Sequence, residues 1–218
     1  MAQLSNMCGV ILAAGESTRM GRDKALLPWP PQSAKPETTG TFLSAAIQLF
    51  FPYVDVVLVV VGNNEAALAP IIYANGASLV VNPDPAQGQF SSLRVGLQEV
   101  RNRGRDAAMI TLVDRPPVSA ATIETLQSAF DRANAARKWA VVPEYQGKHG
   151  HPILIANEML QAFLNAAETS NAREVEHAHE TQIEYLPLDD PNIALNVDTP
   201  EQYGSLNFPT PLTPLQSN

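Results

Sequence analysis

The sequence predicts a single-domain α/β fold, a Rossmann-like and mostly parallel sheet with helices on both faces, and three observations carry that reading. Apolar runs of strand length alternate with segments of helical period, the pattern of a sheet built from βα units rather than of a bundle or a sandwich. The chain has 218 residues, 45% of them hydrophobic, enough for one full core, and no second core is visible. Its first apolar run ends in a small-residue turn, and such sheets bind ligands at the carboxyl edge of their strands. One domain is expected over 1–207, followed by a tail, 208–218, in which Pro, Thr and Leu recur without a period.

Met7 to Leu12 is an unbroken apolar run suited to a strand buried on both faces, and it holds the single cysteine, Cys8, as a core thiol. Further strands are expected near 54–61, 78–82, 107–113, 139–143, 152–155, 182–187 and 192–197. After Thr41, the residues Phe42, Ala45, Ala46 and Leu49 repeat at helical spacing. Ile123, Leu126, Phe130 and Ala133 do the same behind an expected Ser119 N-cap. A third helix is expected to start at the serine pair Ser91-Ser92, with Leu93, Leu97 and Val100 on one face. Near the end, Thr199-Pro200-Glu201 combines an N-cap, a proline at the first helical position and an acidic first turn, which places Asp198 at a strand end. The stretch 30–40 is proline-rich and reads as an insertion, and His177 and His179, among glutamates, read as a solvated face.

Charge and composition narrow the function. The formal net charge is −8, which speaks against a nucleic-acid surface, because counterion release needs clustered Lys and Arg. The longest apolar run, Val54 to Val61, contains Asp55 and is too short to span a bilayer, and the first residues lack a basic region leading into a signal-type stretch. A cytoplasmic protein with no membrane association is expected. An acidic protein that holds a polyanion must concentrate its positive charge, and here Arg19, Arg22 and Lys24 share one loop.

That loop, Leu12-Ala13-Ala14-Gly15-Glu16-Ser17-Thr18-Arg19-Met20-Gly21-Arg22-Asp23-Lys24, reads as a triphosphate cradle. Small residues let backbone N–H groups approach phosphate oxygens, and Arg19 and Lys24 supply the charge. It lacks the Gly-Lys-Ser/Thr ending of a P-loop and the G-x-G-x-x-G of a dinucleotide fold. Asp114 follows the apolar run Met109 to Leu112 and precedes two prolines, so it, like Asp198, is placed at the ligand edge. Such a pair suits Mg²⁺, which takes one or two carboxylates together with phosphate oxygens and water. The alternative for each aspartate is a helix cap. No G-x-S-x-G elbow and no H-E-x-x-H pair is present.

Four segments together resemble the molybdenum cofactor nucleotidyltransferases, the MobA-like NTP transferases, and within them the molybdopterin cytidylyltransferase branch. They are L-A-A-G-x-S-x-R-M-G-x-x-K-A-L-L-P at 12–28, G-Q-x-x-S-L-R-x-G-L at 88–97, V-D-x-P at 113–116, and G-H-P at 150–152 with N-x-D-T-P at 196–200. The resemblance implies transfer of CMP from CTP to molybdopterin or the molybdenum cofactor with release of pyrophosphate, on a nucleotidyltransferase fold of the glycosyltransferase-A type. It implies nucleotide binding by Leu12, Ala13, Ala14, Gly15, Arg19 and Lys24 and by Asn82, Gly88, Gln89 and Ser92. Catalysis falls to Arg19, Lys24, Asp114 and Asp198, with Mg²⁺ on the two aspartates and Gly150 and His151 on the acceptor side. A molybdenum hydroxylase is an implied partner. Ala13-Ala14-Gly15 stands where the guanylyl branch has Gly-Gly, which favours CTP over GTP. Arg115 stands where relatives commonly have Gln, and the segment 30–40 is longer than the family's connection. Other readings are transfer to a sugar or methylerythritol phosphate, or a non-catalytic cofactor carrier or insertion chaperone.

Overall fold

A computed structural model describes residues 6–31 and 40–206. The central strands are β1 (Met7–Leu12), β4 (Val56–Val61), β5 (Ser78–Val81), β6 (Ala107–Leu112), β7 (Ala140–Tyr145), β9 (Ile153–Ile155) and β10 (Ile183–Pro187). Two residues, Pro28–Trp29, form β2 and pair antiparallel with β3 (Gly40–Thr41), while β8 (Lys148–His149) folds back on β7. The sheet order is β10-β7-β9-β6-β1-β4-β5. Strands β5, β4, β1 and β6 run parallel, as do β10 and β7, and β9 lies antiparallel between β6 and β7. The chain leaves β1 toward β4 on one side and returns to β6 on the other. This reversal opens a crevice beyond the carboxyl ends of β1 and β6, where a doubly wound sheet takes its ligand.

Alternation along each strand explains the two-faced burial. Ile11, Val57, Val59, Val61, Met109 and Val141 point to one face, under α1 (Phe42–Phe50), α2 (Glu65–Ala74) and α4 (Ala120–Ala135). Cys8, Val10, Leu58, Val60, Ala108 and Ile110 point to the other, under α3 (Gln89–Asn102), α5 (Asn157–Asn165) and α6 (Ala172–Ala178). Each buried aliphatic side chain contributes about 1.5–3 kcal/mol, so this double layer, and not the loops, carries the stability. The loops are thereby released to be small and polar. Helix α3 comes close to the sheet through Gly96, where a Cβ would lie 2.9 Å from both Val10 Cγ1 and Val60 Cγ2. Cys8 is buried in this layer, and burial pushes its thiol up to about 11.

The helix signals behave as their chemistry dictates. Thr41 caps α1 in a reciprocal box with Ser44, Ser119 accepts from the Thr122 N–H at the start of α4, and Thr199 boxes with Gln202 to begin α7 (Pro200–Gly204). Three expectations need correction. No strand forms over 192–197: Pro191 opens a one-turn 3-10 helix to Ala194, capped by Asp190, and the chain then runs on as a loop, so Asp198 follows a loop and not a strand. Helix α3 begins at Gln89 behind Gly88, whose φ of 92° takes the N-cap position without a side chain, so the serines lie inside the first turn. The expected strands near 139–143 and 152–155 leave none between them, whereas Gln146-Gly147 turns β7 back into the short β8. Of the two exposed-face histidines, His177 is exposed, and the His179 ring lies against Trp139 at 4.9 Å. Most of the expected insertion, 32–39, and the tail, 208–218, lie outside the described residues. Among the described residues no helix is long and apolar enough to cross a membrane.

Candidate active site

The crevice is a cleft of about 470 Å³ lined by Leu12, Ala14 to Thr18 and Lys24 on one wall, by Pro85, Ala86, Gly88, Gln89 and Ser92 on the other, and by Leu112 to Asp114 at its base. Strand geometry sets the base. The Ala13 N–H donates to Val60 O (2.8 Å) and the Val113 N–H to Leu12 O (3.0 Å), so both strands continue in register to the point where the loops diverge. Beyond it the cradle makes no ladder. Among the described residues nothing accepts from the N–H groups of Ala14, Gly15, Glu16 and Ser17. A Cβ on Gly15 would meet no protein atom, so the room that glycine leaves there is cleft. Free N–H groups opening onto a cleft make an anion site, and the N-terminus of the 14-residue α3 faces the same space.

The second wall is held by Asn82. Its Nδ2 donates to Ser91 Oγ and Ser92 Oγ, both at 2.9 Å, and its Oδ1 accepts from the Asp84 N–H at 3.0 Å. Asn82 and Ser92 are buried, so in this structure they shape the turn at 83–88, while Gly88 and Gln89 are exposed at its lip. Arg94, from the same run of residues, points away and donates to Leu164 O (3.2 Å).

Charge collects at the base. Lys24 Nζ lies 2.6 Å from Asp198 Oδ1 and 3.5 Å from Asp114 Oδ2, and Arg19 reaches Asp198 Oδ1 at 3.0 Å from an exposed position. The sequence reading assigned both cations to phosphate; here both face carboxylates. Burial, opposed by Lys24 and Arg115, holds the Asp114 carboxyl above its usual range, and the neighbouring Asp198 charge adds to the rise. The hydrogen bond from Lys24 does the reverse for Asp198, holding it below the usual range, helped by the charges of Arg19 and Arg115. Asp114 Oδ1 is buried with no partner. Two converging carboxylates with an oxygen left over form a hard-donor set, and among the described residues no larger cluster of His, Cys, Asp and Glu gathers to hold a metal.

Several residues that sequence reasoning passed over position this group. Asn64, just after β4, donates from Nδ2 to Ala13 O (2.8 Å) and to Asp23 Oδ2 (2.6 Å) and accepts from the Gly62 N–H (3.1 Å). Asp23 in turn accepts from the Ala25 N–H, and Ser17, at a left-handed φ of 51°, accepts from the Lys24 N–H (3.1 Å). Gly62 packs under the second wall: a Cβ there would lie 2.9 Å from Pro85 Cβ and 3.2 Å from Ala14 O. Only an alignment of the strand ends could have revealed Asn64 and Gly62, since neither stands in a recognisable run.

Gly150 and His151 lie behind the base, away from the cleft lining. A Cβ on Gly150 would come within 2.5 Å of Ile193 O, and the His151 N–H donates to the same oxygen (2.9 Å). From there the chain reaches the Val197 N–H, which donates to Asp114 O (2.9 Å), and then Asp198. The two residues thus seat the loop that brings Asp198 to Asp114. His151 is half-buried with Nδ1 unpartnered; burial, then the Arg115 charge, push its pKa down to about 3. Arg115 donates to Leu195 O (3.2 Å) in the same loop.

The profile of the MobA-like NTP transferase domain matches residues 9–183, which take in the cradle, both walls and Asp114. Over 200 residues, 89% of this chain and 92% of the other, the protein is 28% identical to the molybdenum cofactor cytidylyltransferase of Escherichia coli (strain K12). It is 29% identical over 127 residues to the molybdenum cofactor guanylyltransferase of Rhodobacter capsulatus, covering 56% and 58% of the two chains. The crystal structure of Rv0371c from Mycobacterium tuberculosis H37Rv is similar with a TM-score of 0.74 at 25% identity, over 92% of this chain and 96% of that one. Its manganese complex gives 0.69 at 25% identity, over 90% and 95%. With the cradle, the facing helix terminus and the acidic base set in this order along one sheet edge, the chain belongs to the family of MobA-like NTP transferases.

Proposed function

We propose that this nucleotidyltransferase moves CMP from CTP to the terminal phosphate of molybdopterin or the molybdenum cofactor, releasing pyrophosphate. The observation that carries the reading is the row of unpartnered N–H groups at residues 14–17, in a cleft lined also by Asp114 and the start of α3, with Asp198 joined to Asp114 through Lys24. The 28% identity to a cytidylyltransferase over most of both chains supports the donor and acceptor assignments. Asp114 and Asp198 would hold Mg²⁺, and the buried, unpartnered Asp114 Oδ1 is what such an ion would satisfy. Bound there, the ion supplies Lewis-acid charge against the triphosphate.

The protein's own groups do the rest. The cradle N–H groups receive phosphate oxygens and fix the donor for in-line attack. An acceptor phosphate oxygen attacks the α-phosphorus while the bond to the bridging oxygen breaks, and pyrophosphate leaves with the electron pair. The acceptor phosphate is already an anion at neutral pH, so no strong base is required, and the cleft lining offers no histidine. Arg19, exposed and paired with Asp198 in this structure, would neutralise the leaving group. Ala14 forms part of the floor, and its methyl narrows the space for a two-ring base; one methyl is worth about 1–3 kcal/mol, so a preference of roughly 10–200-fold is expected.

The test is pyrophosphate release with Mg²⁺, molybdopterin and each NTP in turn. CTP should turn over fastest. Faster turnover with GTP would overturn the donor assignment, and release with no NTP would overturn the reaction.

A further inference from the structure

We propose that Lys24 is the resident counter-ion of the Asp114–Asp198 pair, and that a divalent ion entering between these carboxylates evicts the ammonium into the triphosphate side of the cleft. The inference rests on the reading of the two aspartates as the metal site. It reconciles two placements of one side chain: a lysine in a phosphate-binding loop, and an ammonium 2.6 Å from Asp198 Oδ1 and 3.5 Å from Asp114 Oδ2.

Three observations make the exchange a property of this chain. First, the ammonium fills the place incompletely. Asp114 Oδ1 stays buried without a partner, and a buried acceptor left unmade is costly, so a dication with more ligand positions satisfies the pair better. Second, the main chain of Lys24 is pinned without help from Nζ. Its N–H donates to Ser17 Oγ (3.1 Å), its carbonyl accepts from the Leu27 N–H (3.1 Å), and Asn64 locks the preceding Asp23 at 2.6 Å. Only the flexible stem has to turn. Third, Lys24 is itself part of the lining of the cleft that residues 14–18 also line, and it belongs to the loop whose N–H groups are free, so the evicted charge can turn toward the cradle. An ammonium and a dication repel at this range, so the two occupy the pair in alternation. The ion thereby presents a cation to the nucleotide that is withheld in its absence, and metal binding prepares triphosphate binding.

The decisive experiment needs neither nucleotide nor acceptor, so its failure is separate from failure of the cytidylyl reading. Mn²⁺ is titrated by EPR into the wild-type protein and into Lys24→Met, with circular dichroism confirming the fold of the variant. The variant is expected to bind Mn²⁺ on the order of tenfold more tightly, since the competitor is gone. Equal or weaker binding would overturn the proposal, because a lysine that merely organised the aspartates would be missed. A second measurement uses only the wild type, in case the variant does not fold. Amine acetylation read by mass spectrometry should rise at Lys24, buried in the structure, when Mn²⁺ is added, while the exposed Lys148 serves as internal reference and stays constant. Unchanged or reduced labelling of Lys24 relative to Lys148 would equally overturn the exchange.

Discussion

Replacing Gly62 by alanine tests how tightly the two walls of the cleft are joined. The new Cβ would lie 2.9 Å from Pro85 Cβ, 3.0 Å from Pro85 Cγ and 3.2 Å from Ala14 O. Carbon atoms pack at about 3.5–4.0 Å, so the contact with Pro85 is short by roughly 0.6–1 Å. Neither neighbour can rotate away, one being a proline ring and the other a backbone carbonyl. The strain therefore has to move the turn at 83–88 or the cradle. Overpacking of this kind costs about 1–3 kcal/mol, a drop in melting temperature of roughly 2–4 °C per kcal/mol in a domain of this size. A displacement near 1 Å at a positioning element can cost about a hundredfold in rate, and because both moved elements line the cleft proposed to take the nucleotide, KM for CTP should rise. Gly9→Ala is the control. Its Cβ would lie 2.8 Å from Phe50 Cδ2 and 3.3 Å from Val54 Cγ2, under α1 and away from the cleft lining, so it should lower the melting temperature with KM unmoved. A Gly62→Ala protein that melts lower yet keeps the parental KM would refute the argument, since the turn would then carry no part of the nucleotide.

Two further substitutions probe the acidic base and its support. Asp114→Asn should abolish Mg²⁺-dependent turnover. Without metal it should melt above the wild type at neutral pH, because burial penalises the Asp114 charge more than its cations relieve it. With a raised native pKa the wild-type carboxyl gains a proton on folding, so that gap should close as pH falls through this pKa; calorimetry across the acidic range that shows a widening gap would reverse the sign. Asn64→Asp would set a carboxylate where Nδ2 now lies 2.6 Å from Asp23 Oδ2 and 2.8 Å from Ala13 O. Loss of two hydrogen bonds, at about 0.5–1.5 kcal/mol each, should loosen the cradle and raise KM for the nucleotide, and a steady-state titration giving the parental KM would separate Asn64 from the site.

What the sequence disclosed, and what it hid, follows from the range of the interactions. Strand runs such as Val56 to Val61 and caps such as Thr41, Ser119 and Thr199 are local chemistry, and each stands where its own residues put it. The segment 192–197 misled because Ile193, Ala194, Leu195 and Val197 are apolar for a tertiary reason. Ile193 and Val197 fill the core beneath the base, while Asp190 and Pro191 start a turn that no pairing strand opposes. The serines of α3 misled because Gly88 reaches a conformation that caps by backbone alone. Asn64 and Gly62 were silent, since their partners, Asp23, Ala13 and Pro85, lie far away in the chain.

The same distinction governs the residues nominated for the acceptor. Gly150 is glycine here because Ile193 O would meet any Cβ, and the His151 N–H holds that oxygen. Substituting either would act on the cleft through Asp198, one loop away, whatever the acceptor touches. This also explains why the basic loop and the acidic base must be read as one unit. Two carboxylates brought together at a sheet edge repel each other unless a cation lies with them, and the chain supplies Lys24 from the cradle and Arg19 from its rim. The residues that would neutralise a triphosphate are therefore the ones that keep the two carboxylates of the base from repelling each other. Because the two tasks draw on the same charges, a variant that weakens one is expected to alter the other.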